Sequence, residues 1–591
     1  MFQTYESTTS PEQGPPRLAA LRARMESEGL DGFIVPRADA WQGEYVAPCD
    51  ERLAWLTGFT GSAGYCVVLA DKAGVFVDGR YRVQVKQQVA EEFTPVAWPE
   101  VSLGAWIAQN GPDGAKIGFD PWLHTPRQVN ALSSALEATG QNLLPTENLV
   151  DAIWSDRPAR PDGHAFGHPL ELAGESAVDK RTRLGSALKS KGESAAIITL
   201  PDSICWLLNI RGSDIERVPI LQSFAILEAD GRVALFVEPE KVADLEIEAD
   251  VHGPDAFLPA VAGLEGRVRI DTDTCPQAVV DALQAEVSKG ADPCLLPKAT
   301  KNETELQGAR AAHARDAVAM VEFLAWLDES DATALTEIDV AKALEGFRAA
   351  TNALRDISFE TISAAGPHGA LPHYRVTNET NRQLTEGELY LVDSGGQYVD
   401  GTTDITRTIA IGTPPEDAKA AFTRVLQGMI AVSRVRFPKG VAGSHIDALA
   451  RAPLWMAGQD YDHGTGHGVG SYLSVHEGPA RISRVSKLPL EVGMILSNEP
   501  GYYREGAFGI RIENLIVVET APLLEGADDR DMLSFETLTY VPIDTSLIDT
   551  AMLSEGERDW INAYHSECAL RVAGQLSDRA QGWITRATEA I

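Results

Sequence analysis

Positive charge is scarce in this sequence. The chain carries 51 Lys and Arg against 85 Asp and Glu, which gives a formal net charge of −34. Nucleic-acid binding depends on basic side chains that neutralise phosphates and release counterions, and a surplus of carboxylates opposes it. The composition therefore argues against nucleic acid as a partner and indicates a well-solvated acidic surface.

Paired cysteines and long apolar runs are also missing. None of the 6 cysteines belongs to a Cys-x-x-Cys pair, so neither a disulfide framework nor a structural zinc site is expected. No run approaches the roughly 18 apolar residues of a membrane span, and the first residues form neither a basic patch nor an apolar core. These absences predict a cytoplasmic protein that makes no membrane contact.

The first half of the chain contains a repeat. The segments LAALRARMESEGLDGFIVP and TRLGSALKSKGESAAIITLP each read as an amphipathic helix that ends at a glycine, Gly29 or Gly192, and is followed by a short apolar strand. In both copies a Trp-Leu pair, a Gly-Ser step and two strand-like runs follow in the same order. Because 591 residues exceed what one hydrophobic core can serve, we predict two related α/β domains and a third, different one. The predicted domains are residues 1–160, 161–300 and 301–591.

The third segment begins and ends with helical patterns. Residues 298–327 carry apolar side chains at helical spacing, which is typical of core packing. The C-terminal run LSEGERDWINAYHSECALRVAGQLSDRAQGWITRATEA begins with a capping-box pattern, Ser554 to Glu557, and reads as two helices.

Histidines and carboxylates cluster between these two ends. The run ELYLVDSGGQYVDGTTDITRTIAIG reads as two strands around a glycine-rich connection, with Asp393 at the end of the first apolar run and Asp404 in the second. An acidic side chain in a nearly buried sheet is costly unless it is paired or bound to metal. For Asp393, capping of the turn that begins at Ser394 is the alternative.

Two further runs supply candidate ligands. In MILSNEPGYYREGAFGIRIENLIVVE, the following proline keeps Glu499 extended, and Glu513 shares a strand face with Arg511, for which a structural salt bridge is the alternative. The run YDHGTGHGVGSYLSVHEGP is too rich in glycine for the helical His-x-x-x-His of zinc proteases, and it lacks the dinucleotide-binding spacing. It is expected to be extended, and its histidines are His463, His467 and His476.

Together these runs give an oxygen-rich donor set with a single imidazole. Such a set is suited to two divalent ions that share bridging carboxylates, and the two ions balance four carboxylate charges. Oxygen donors favour a hard ion such as Mn²⁺, although Co²⁺, Zn²⁺ and Fe²⁺ bind the same donors. The candidate ligands are Asp393, Asp404, His467, Glu499 and Glu513.

The order of these motifs resembles a known enzyme family. The strings DSGGQYVDGTTD, HGTGHGVG, NEPGYY and GIRIEN, together with ERLAWLTGFTGSAG and WLLNIRGSD ahead of them, resemble the Xaa-Pro aminopeptidases (aminopeptidase P) of the long, three-domain, cytosolic type. The resemblance covers nearly the whole chain. It implies an α/β (α+β) fold in which two creatinase/prolidase N-terminal-like domains precede a pita-bread catalytic domain.

The resemblance also implies an activity and a role for each residue. It implies a homodimeric metalloaminopeptidase that hydrolyses the N-terminal Xaa-Pro bond of peptides through a water bridging two metal ions. The metal ligands would be the five candidates above, with Glu499 also shuttling protons and Arg511 orienting the site. The histidines that contact substrate or handle protons would be His373 of the PHY motif, His463 and His476. Arg80 of VDGRY would contact substrate, with a structural role as the alternative.

Three other functions share parts of this pattern. An Xaa-Pro dipeptidase (prolidase) uses the same ligands but must also hold a carboxylate next to proline, and the three-domain length argues against it. A methionine aminopeptidase has no need of two such N-terminal domains. A catalytically inactive peptide-binding homologue is expected to have lost ligands, and none is missing here.

Overall fold

The computed structural model describes all 591 residues. The chain folds into two compact units, one of Thr8–Leu295 and one that combines Leu296–Ile591 with Met1–Ser7. No helix in either unit has the length and apolar character required to cross a bilayer.

Thr8–Leu295 is built on two six-stranded sheets with the same strand order. The first sheet runs through Thr94–Ala97, Ala73–Val77, Tyr65–Leu69, Gly32–Pro36, Lys116–Phe119 and Asn142–Pro145. The second runs through Asp250–His252, Val233–Phe236, Phe224–Glu228, Ala195–Ile198, Arg267–Ile270 and Glu286–Lys289. In each sheet the third strand is antiparallel to both neighbours and every other neighbouring pair is parallel. The shared topology confirms the predicted pair of related α/β folds.

The helices of this unit cover the sheets. They are Gly14–Ser27, Arg52–Thr57, Gln84–Gln88, Leu103–Asn110, Pro126–Leu136, Leu149–Ile153, Leu170–Ala173, Ala177–Ser190, Pro201–Leu208, Phe257–Ala262 and Gln277–Ala282. The first helix of each repeat ends where the sequence predicted, because Gly29 (φ +67°) and Gly192 (φ +70°) take the left-handed conformation that terminates a helix.

The unit that contains Leu296–Ile591 is an antiparallel sheet structure flanked by helices. Its main helices are Glu303–Glu329, Glu337–Ala349, Glu416–Arg434, Gly443–Trp455, Glu555–Arg571 and Asp578–Ala587. A six-stranded antiparallel sheet runs through Phe437–Pro438, Met532–Thr537, Asn514–Thr520, Ile495–Asn498, Gly466–Gly468 and Glu477–Ile482. Two three-stranded sheets consist of Ile362–Ala365, Glu388–Ser394 and Ile405–Ile411, and of Asp356–Ile357, Gly396–Tyr398 and Gly401–Thr402. Gly501–Arg504 and Phe508–Arg511 form a hairpin.

Two predicted strand residues lie at strand ends instead. Asp404 directly precedes strand Ile405–Ile411, and Glu513 directly precedes strand Asn514–Thr520. The backbone N–H of Glu513 donates to the carbonyl of Thr406 (3.2 Å), which belongs to strand Ile405–Ile411 of a three-stranded sheet. Just before it enters the six-stranded sheet, the chain therefore bonds to a different sheet. This crossing brings the ends of the two sheets together.

The C-terminal tail packs on the hydrophobic core of this unit. The predicted capping box is present, with reciprocal bonds between Ser554 and Glu557 at the start of helix Glu555–Arg571. Trp560 and Trp583 pack against two core clusters of this unit. The tail is therefore an integral part of the unit.

Candidate metal centre

The five candidate ligands converge where the six-stranded sheet meets the three-stranded sheet of Ile362–Ala365, Glu388–Ser394 and Ile405–Ile411. The donor atoms of Asp393, Asp404 and Glu513 lie within 4.8 Å of one another, as do those of His467, Glu499 and Glu513. Glu513 belongs to both sets, so the geometry forms two overlapping groups of donors. This is the arrangement expected of two metal ions that share a bridging carboxylate.

Three buried carboxylate oxygens in this cluster accept no hydrogen bond from the protein. They are Oδ1 of Asp393, Oδ1 of Asp404 and Oε1 of Glu513. A buried carboxylate oxygen without a donor is costly, and buried charges are normally paired or bound to metal. The donor set therefore fits divalent cations.

The imidazole of His467 is oriented toward the same point. Its Nδ1 lies 2.9 Å from the carbonyl of Gly468, which can only accept, so Nδ1 carries the proton. Nε2 then presents its lone pair, 3.4 Å from Oδ2 of Asp404 and 3.3 Å from Oε1 of Glu499. A backbone carbonyl that fixes the tautomer in this way is typical of a metal-binding histidine.

Burial and mutual repulsion change the protonation of the cluster. Burial, followed by the charges of Asp393 and Glu499, raises the pKa of Asp404 well above its usual range. Burial and the charges of Asp404 and Glu499 raise the pKa of Glu513 in the same direction. Both carboxyl groups therefore favour a bound proton unless a cation compensates their charge.

Arg511 is bound to Asp393 and not to Glu513, so the alternative of a simple Arg511–Glu513 salt bridge is wrong. Its Nη2 donates to Oδ2 of Asp393 (2.6 Å) and its Nε donates to Oγ1 of Thr406 (3.1 Å). The Thr406 hydroxyl in turn donates to Oε2 of Glu513 (2.8 Å). Arg511 thereby fixes one oxygen of Asp393 and, through Thr406, one oxygen of Glu513.

A tyrosine that the sequence reasoning missed joins His463 to this arginine. Nη1 of Arg511 donates to the hydroxyl of Tyr503 (2.7 Å), which lies 2.9 Å from Nε2 of His463. Nδ1 of His463 lies 2.7 Å from the carbonyl of Gly464 and so carries the proton, which leaves Nε2 to accept from Tyr503. Burial raises the pKa of Tyr503 to about 12, so its hydroxyl stays protonated at neutral pH.

His476 lies beside the cluster. Its ring contacts that of His467 edge to face with centroids 4.3 Å apart, and it forms a further close group of donors with Asp404 and His467. The next residue, Glu477, is buried and forms salt bridges with Lys298 and Lys301, which fix the start of strand Glu477–Ile482.

Comparison with known proteins identifies the family. Residues 307–520 match metallopeptidase family M24 and residues 531–591 match the C-terminal region of that family. Residues 17–153 and 156–305 each match the creatinase/prolidase N-terminal domain. A probable Xaa-Pro aminopeptidase P from Laccaria bicolor is 38% identical, with 96% of this chain and 92% of that protein aligned. Aminopeptidase P1 from Arabidopsis thaliana is 37% identical over 97% of this chain and 99% of its own length.

A solved structure indicates the same family. The X-prolyl aminopeptidase from Caenorhabditis elegans, a cytosolic enzyme with a di-nuclear active site, superposes with a TM-score of 0.92 at 33% identity. The match covers 98% of this chain and 99% of that one. The chain belongs to the Xaa-Pro aminopeptidases of metallopeptidase family M24. The predicted family and fold class are therefore confirmed.

The two remaining site residues predicted for this Xaa-Pro aminopeptidase lie in different units. His373 follows a short helix, Gly366–Ala370, that packs against the hairpin strand Phe508–Arg511. Arg80 lies in the N-terminal unit, where Nε and Nη2 donate to the carboxylate of Asp78 at 3.0 and 2.7 Å. The contact between Arg80 and substrate stays a prediction.

A second buried network, also missed from the sequence, holds the segment between ligands Asp393 and Asp404. Nε and Nη2 of Arg348 donate to the two oxygens of Asp316 at 2.7 and 3.1 Å, and Nη2 also reaches the carbonyl of Ser394 (3.3 Å). The hydroxyls of Tyr398 (2.7 Å) and Thr403 (3.0 Å) donate to the same carboxylate. The segment between the two ligands is therefore fixed by contacts with Asp316 and Arg348.

Proposed function

We propose that this protein removes the N-terminal residue from peptides whose second residue is proline. The observation that carries the proposal is the five-donor cluster, with three buried carboxylate oxygens that no protein group satisfies. The cluster lies in a chain of which 96% aligns with a probable Xaa-Pro aminopeptidase P and 98% with the structure of an X-prolyl aminopeptidase. Alignment over nearly the whole chain with proteins named Xaa-Pro aminopeptidases favours this activity over that of a dipeptidase.

In this proposal the cluster holds two divalent ions, with Mn²⁺ as the preferred metal because four of the five donors are carboxylates. The ligands are Asp393, Asp404, His467, Glu499 and Glu513. When bound, the ions supply the Lewis acidity that activates a water molecule and polarises the scissile carbonyl.

Glu499 is the proposed proton carrier. Its Oε1 accepts a hydrogen bond from the Ser497 hydroxyl (2.9 Å), and that hydroxyl accepts one from the backbone N–H of His467 (2.9 Å). These bonds hold the carboxylate beside Nε2 of His467 at 3.3 Å. A carboxylate in this position can take a proton from the attacking water and deliver it to the departing amine.

The surrounding histidines and arginines are assigned either to substrate binding or to the orientation of other site residues. Tyr503 and the Gly464 carbonyl fix the ring of His463, and Arg511 orients Asp393. His373 and His476 are the proposed contacts to the peptide around the scissile bond, and Arg80 is a proposed contact from the first domain. Proline forms a tertiary amide without an N–H, so a pocket shaped for its ring selects it without needing to satisfy a donor.

The remaining organisation is part of the same proposal. We infer three domains at about residues 1–160, 161–300 and 301–591, supported by the family matches that begin at residues 17, 156 and 307. A cytoplasmic location and a homodimer are inferred from the family resemblance, and the cytosolic enzyme from Caenorhabditis elegans supports the location. Size-exclusion chromatography with light scattering measures the mass, and a monomer would contradict the homodimer.

A peptide assay of the Mn²⁺-loaded enzyme tests the activity. We expect release of arginine from Arg-Pro-Pro and no comparable release from the matched peptide Arg-Ala-Pro. Gly-Pro is expected to be a poor substrate. In this dipeptide the proline carries the free C-terminal carboxylate, at the position where a longer substrate continues with its next peptide bond. Activity on Gly-Pro alone would identify a dipeptidase and contradict the proposal.

A further inference from the structure

Glu337, the first residue of helix Glu337–Ala349, is a fully buried glutamate (0% exposed) outside the metal cluster. Its Oε1 accepts hydrogen bonds from the backbone N–H of Ala365 (2.7 Å) and from Nδ1 of His368 (2.8 Å). Its Oε2 accepts from the hydroxyl of Tyr374 (3.1 Å) and from the backbone N–H of Arg382 (3.2 Å). Four donors from a single stretch of chain therefore converge on one carboxylate.

These donors enclose the segment that carries His373. Ala365 ends strand Ile362–Ala365, and Tyr374 directly follows His373, so the carboxylate holds the segment at both ends. His368 is bound between them, and its ring packs on that of Tyr374 with centroids 4.4 Å apart. A carboxylate is only an acceptor at neutral pH, so Nδ1 of His368 carries the proton and this histidine serves as a structural donor.

The segment is also in contact with the hairpin that carries Arg511. A Cβ built on Gly509 would lie 1.6 Å from the carbonyl oxygen of Gly369, so the two backbones are in direct contact there. Only glycine permits this approach. The segment is thus held both by hydrogen bonds to Glu337 and by backbone contact with strand Phe508–Arg511.

Two physical features favour a rigid anchor at Glu337. Charge-assisted hydrogen bonds to an ionised carboxylate are about twice as strong as neutral ones, and the first turn of a helix stabilises negative charge. Because Glu337 is fully buried, loss of the acceptor would leave several buried donors unsatisfied, so the segment would have to rearrange.

We propose that Glu337 is a positioning residue that sets the place of His373 in the active site. This inference rests on the proposed function, in which His373 contacts the peptide at the scissile bond. Glu337 itself touches neither peptide nor metal in this account. Its effect passes through the segment from Ala365 to Tyr374.

The first test compares Glu337→Gln with the matched control Glu345→Gln in the Mn²⁺-loaded enzyme. Glu345 lies on the same helix, is 6% exposed and accepts from the backbone N–H groups of Phe2 and Gln3, away from the His373 segment. We expect Glu337→Gln to lower kcat on Arg-Pro-Pro at least ~10-fold with a smaller change in KM, because a 1 Å displacement can cost about 10²-fold. Metal content is expected to stay at the wild-type level in both variants. Equal kcat in wild type and Glu337→Gln would overturn the inference.

The second test repeats the substitution in a His373→Ala background. If Glu337 acts through His373, Glu337→Gln should change the residual kcat of the His373→Ala enzyme less than about 2-fold. The effects of the two substitutions would then not add, as is expected of coupled residues. An equal fall in both backgrounds would show a general structural effect and overturn the inference. If His373→Ala alone has wild-type kcat, the proposed role of His373 fails, a result distinct from failure of the Glu337 coupling.

Tyr374→Phe provides a variant that retains the buried carboxylate. It removes a single donor and keeps the ring that packs on His368. We expect a smaller fall in kcat than for Glu337→Gln, again abolished in the His373→Ala background. This measurement decides the question if Glu337→Gln does not fold, and a fall that persists without His373 would contradict the coupling.

Discussion

Two buried carboxylate networks of the catalytic unit, joined by the strand hairpin between Ser394 and Thr403, differ in how their charge is compensated. In the Asp316 network, Arg348 supplies a cation and the hydroxyls of Tyr398 and Thr403 supply donors. Burial alone would raise the pKa of Asp316, but these partners hold it below its usual range.

The metal cluster has the opposite balance. Of its four carboxylates only Asp393 forms a salt bridge with Arg511, and three carboxylate oxygens accept no hydrogen bond from the protein. Burial and mutual repulsion therefore raise the pKa values of Asp404 and Glu513. The contrast shows that burial does not by itself decide what a carboxylate does: compensation by the protein makes Asp316 structural, and incomplete compensation makes Asp404 and Glu513 suited to metal.

The largest effect is expected on activity. Asp404→Asn replaces a charged carboxylate ligand by a neutral amide. We expect kcat/KM on Arg-Pro-Pro to fall by about 10³-fold or more, which is the scale of losing a main electrostatic stabiliser. Without metal, the variant should unfold at the same urea concentration as metal-free wild type or at a higher one. The substitution removes a carboxyl group that Asp393 and Glu499 repel. A clear loss of stability in the metal-free state would contradict the comparison.

The next effect is on stability, with the opposite sign. Asp316→Asn leaves Arg348 as a buried cation without its carboxylate, and we expect the free energy of unfolding to fall by about 3–5 kcal/mol. Urea unfolding followed by circular dichroism measures it. The control is Asp400→Asn, which removes the partly exposed partner of Arg315 and should cost about 1 kcal/mol or less. Equal losses in the two variants would contradict the role assigned to Asp316.

Metal binding should stabilise the folded protein by a smaller amount. At free Mn²⁺ of 100 times the Kd, we expect the free energy of unfolding to rise by about 2.7 kcal/mol per site. The gain should be largely lost in Asp404→Asn, whose cluster lacks one carboxylate. The same gain in wild type and variant would place the metal elsewhere.

The smallest effect concerns pH. The folded pKa of Asp316 is depressed, so its contribution is fully present above the unfolded pKa, near 3.8, and is lost as pH falls through the lower folded value. The stability difference between wild type and Asp316→Asn should therefore be constant from pH 5 upward and shrink below about pH 4, by at most ~1.4 kcal/mol per pH unit. Urea titrations of metal-free protein between pH 3 and 6 measure the difference. If the stability difference between wild type and Asp316→Asn grew toward low pH, the pKa of Asp316 would be raised and not lowered by folding, which contradicts the account.

The sequence was informative about local patterns and about the ligand set. Three predicted features depend on sequence patterns alone, and the structure contains all of them. They are the helix termini at Gly29 and Gly192, the repeat, and the capping box at Ser554. The five candidate ligands came from spacing together with family resemblance, and their donor atoms do lie together.

Residues whose partners are distant in sequence could not be predicted. Asp316 and Arg348 come from separate helices, and Tyr503 reaches His463 only because of the register of its hairpin. Glu337 reads as an ordinary residue in the first turn of a helix. Its donors become visible only after the chain from Ala365 onward folds back over it. Two-residue spacing also suggested an Arg511–Glu513 pair, whereas the tertiary fold brings Asp393 to Arg511.

Metal stoichiometry tests the central claim most directly. Metal-free protein titrated with Mn²⁺ by calorimetry, followed by metal analysis after gel filtration, should bind two ions per chain, and activity on Arg-Pro-Pro should appear with them. Glu499→Ala should lose both metal occupancy and hydrolysis. Wild-type turnover by metal-free protein, or by Glu499→Ala, would contradict the assignment of the carboxylate cluster as the catalytic metal centre.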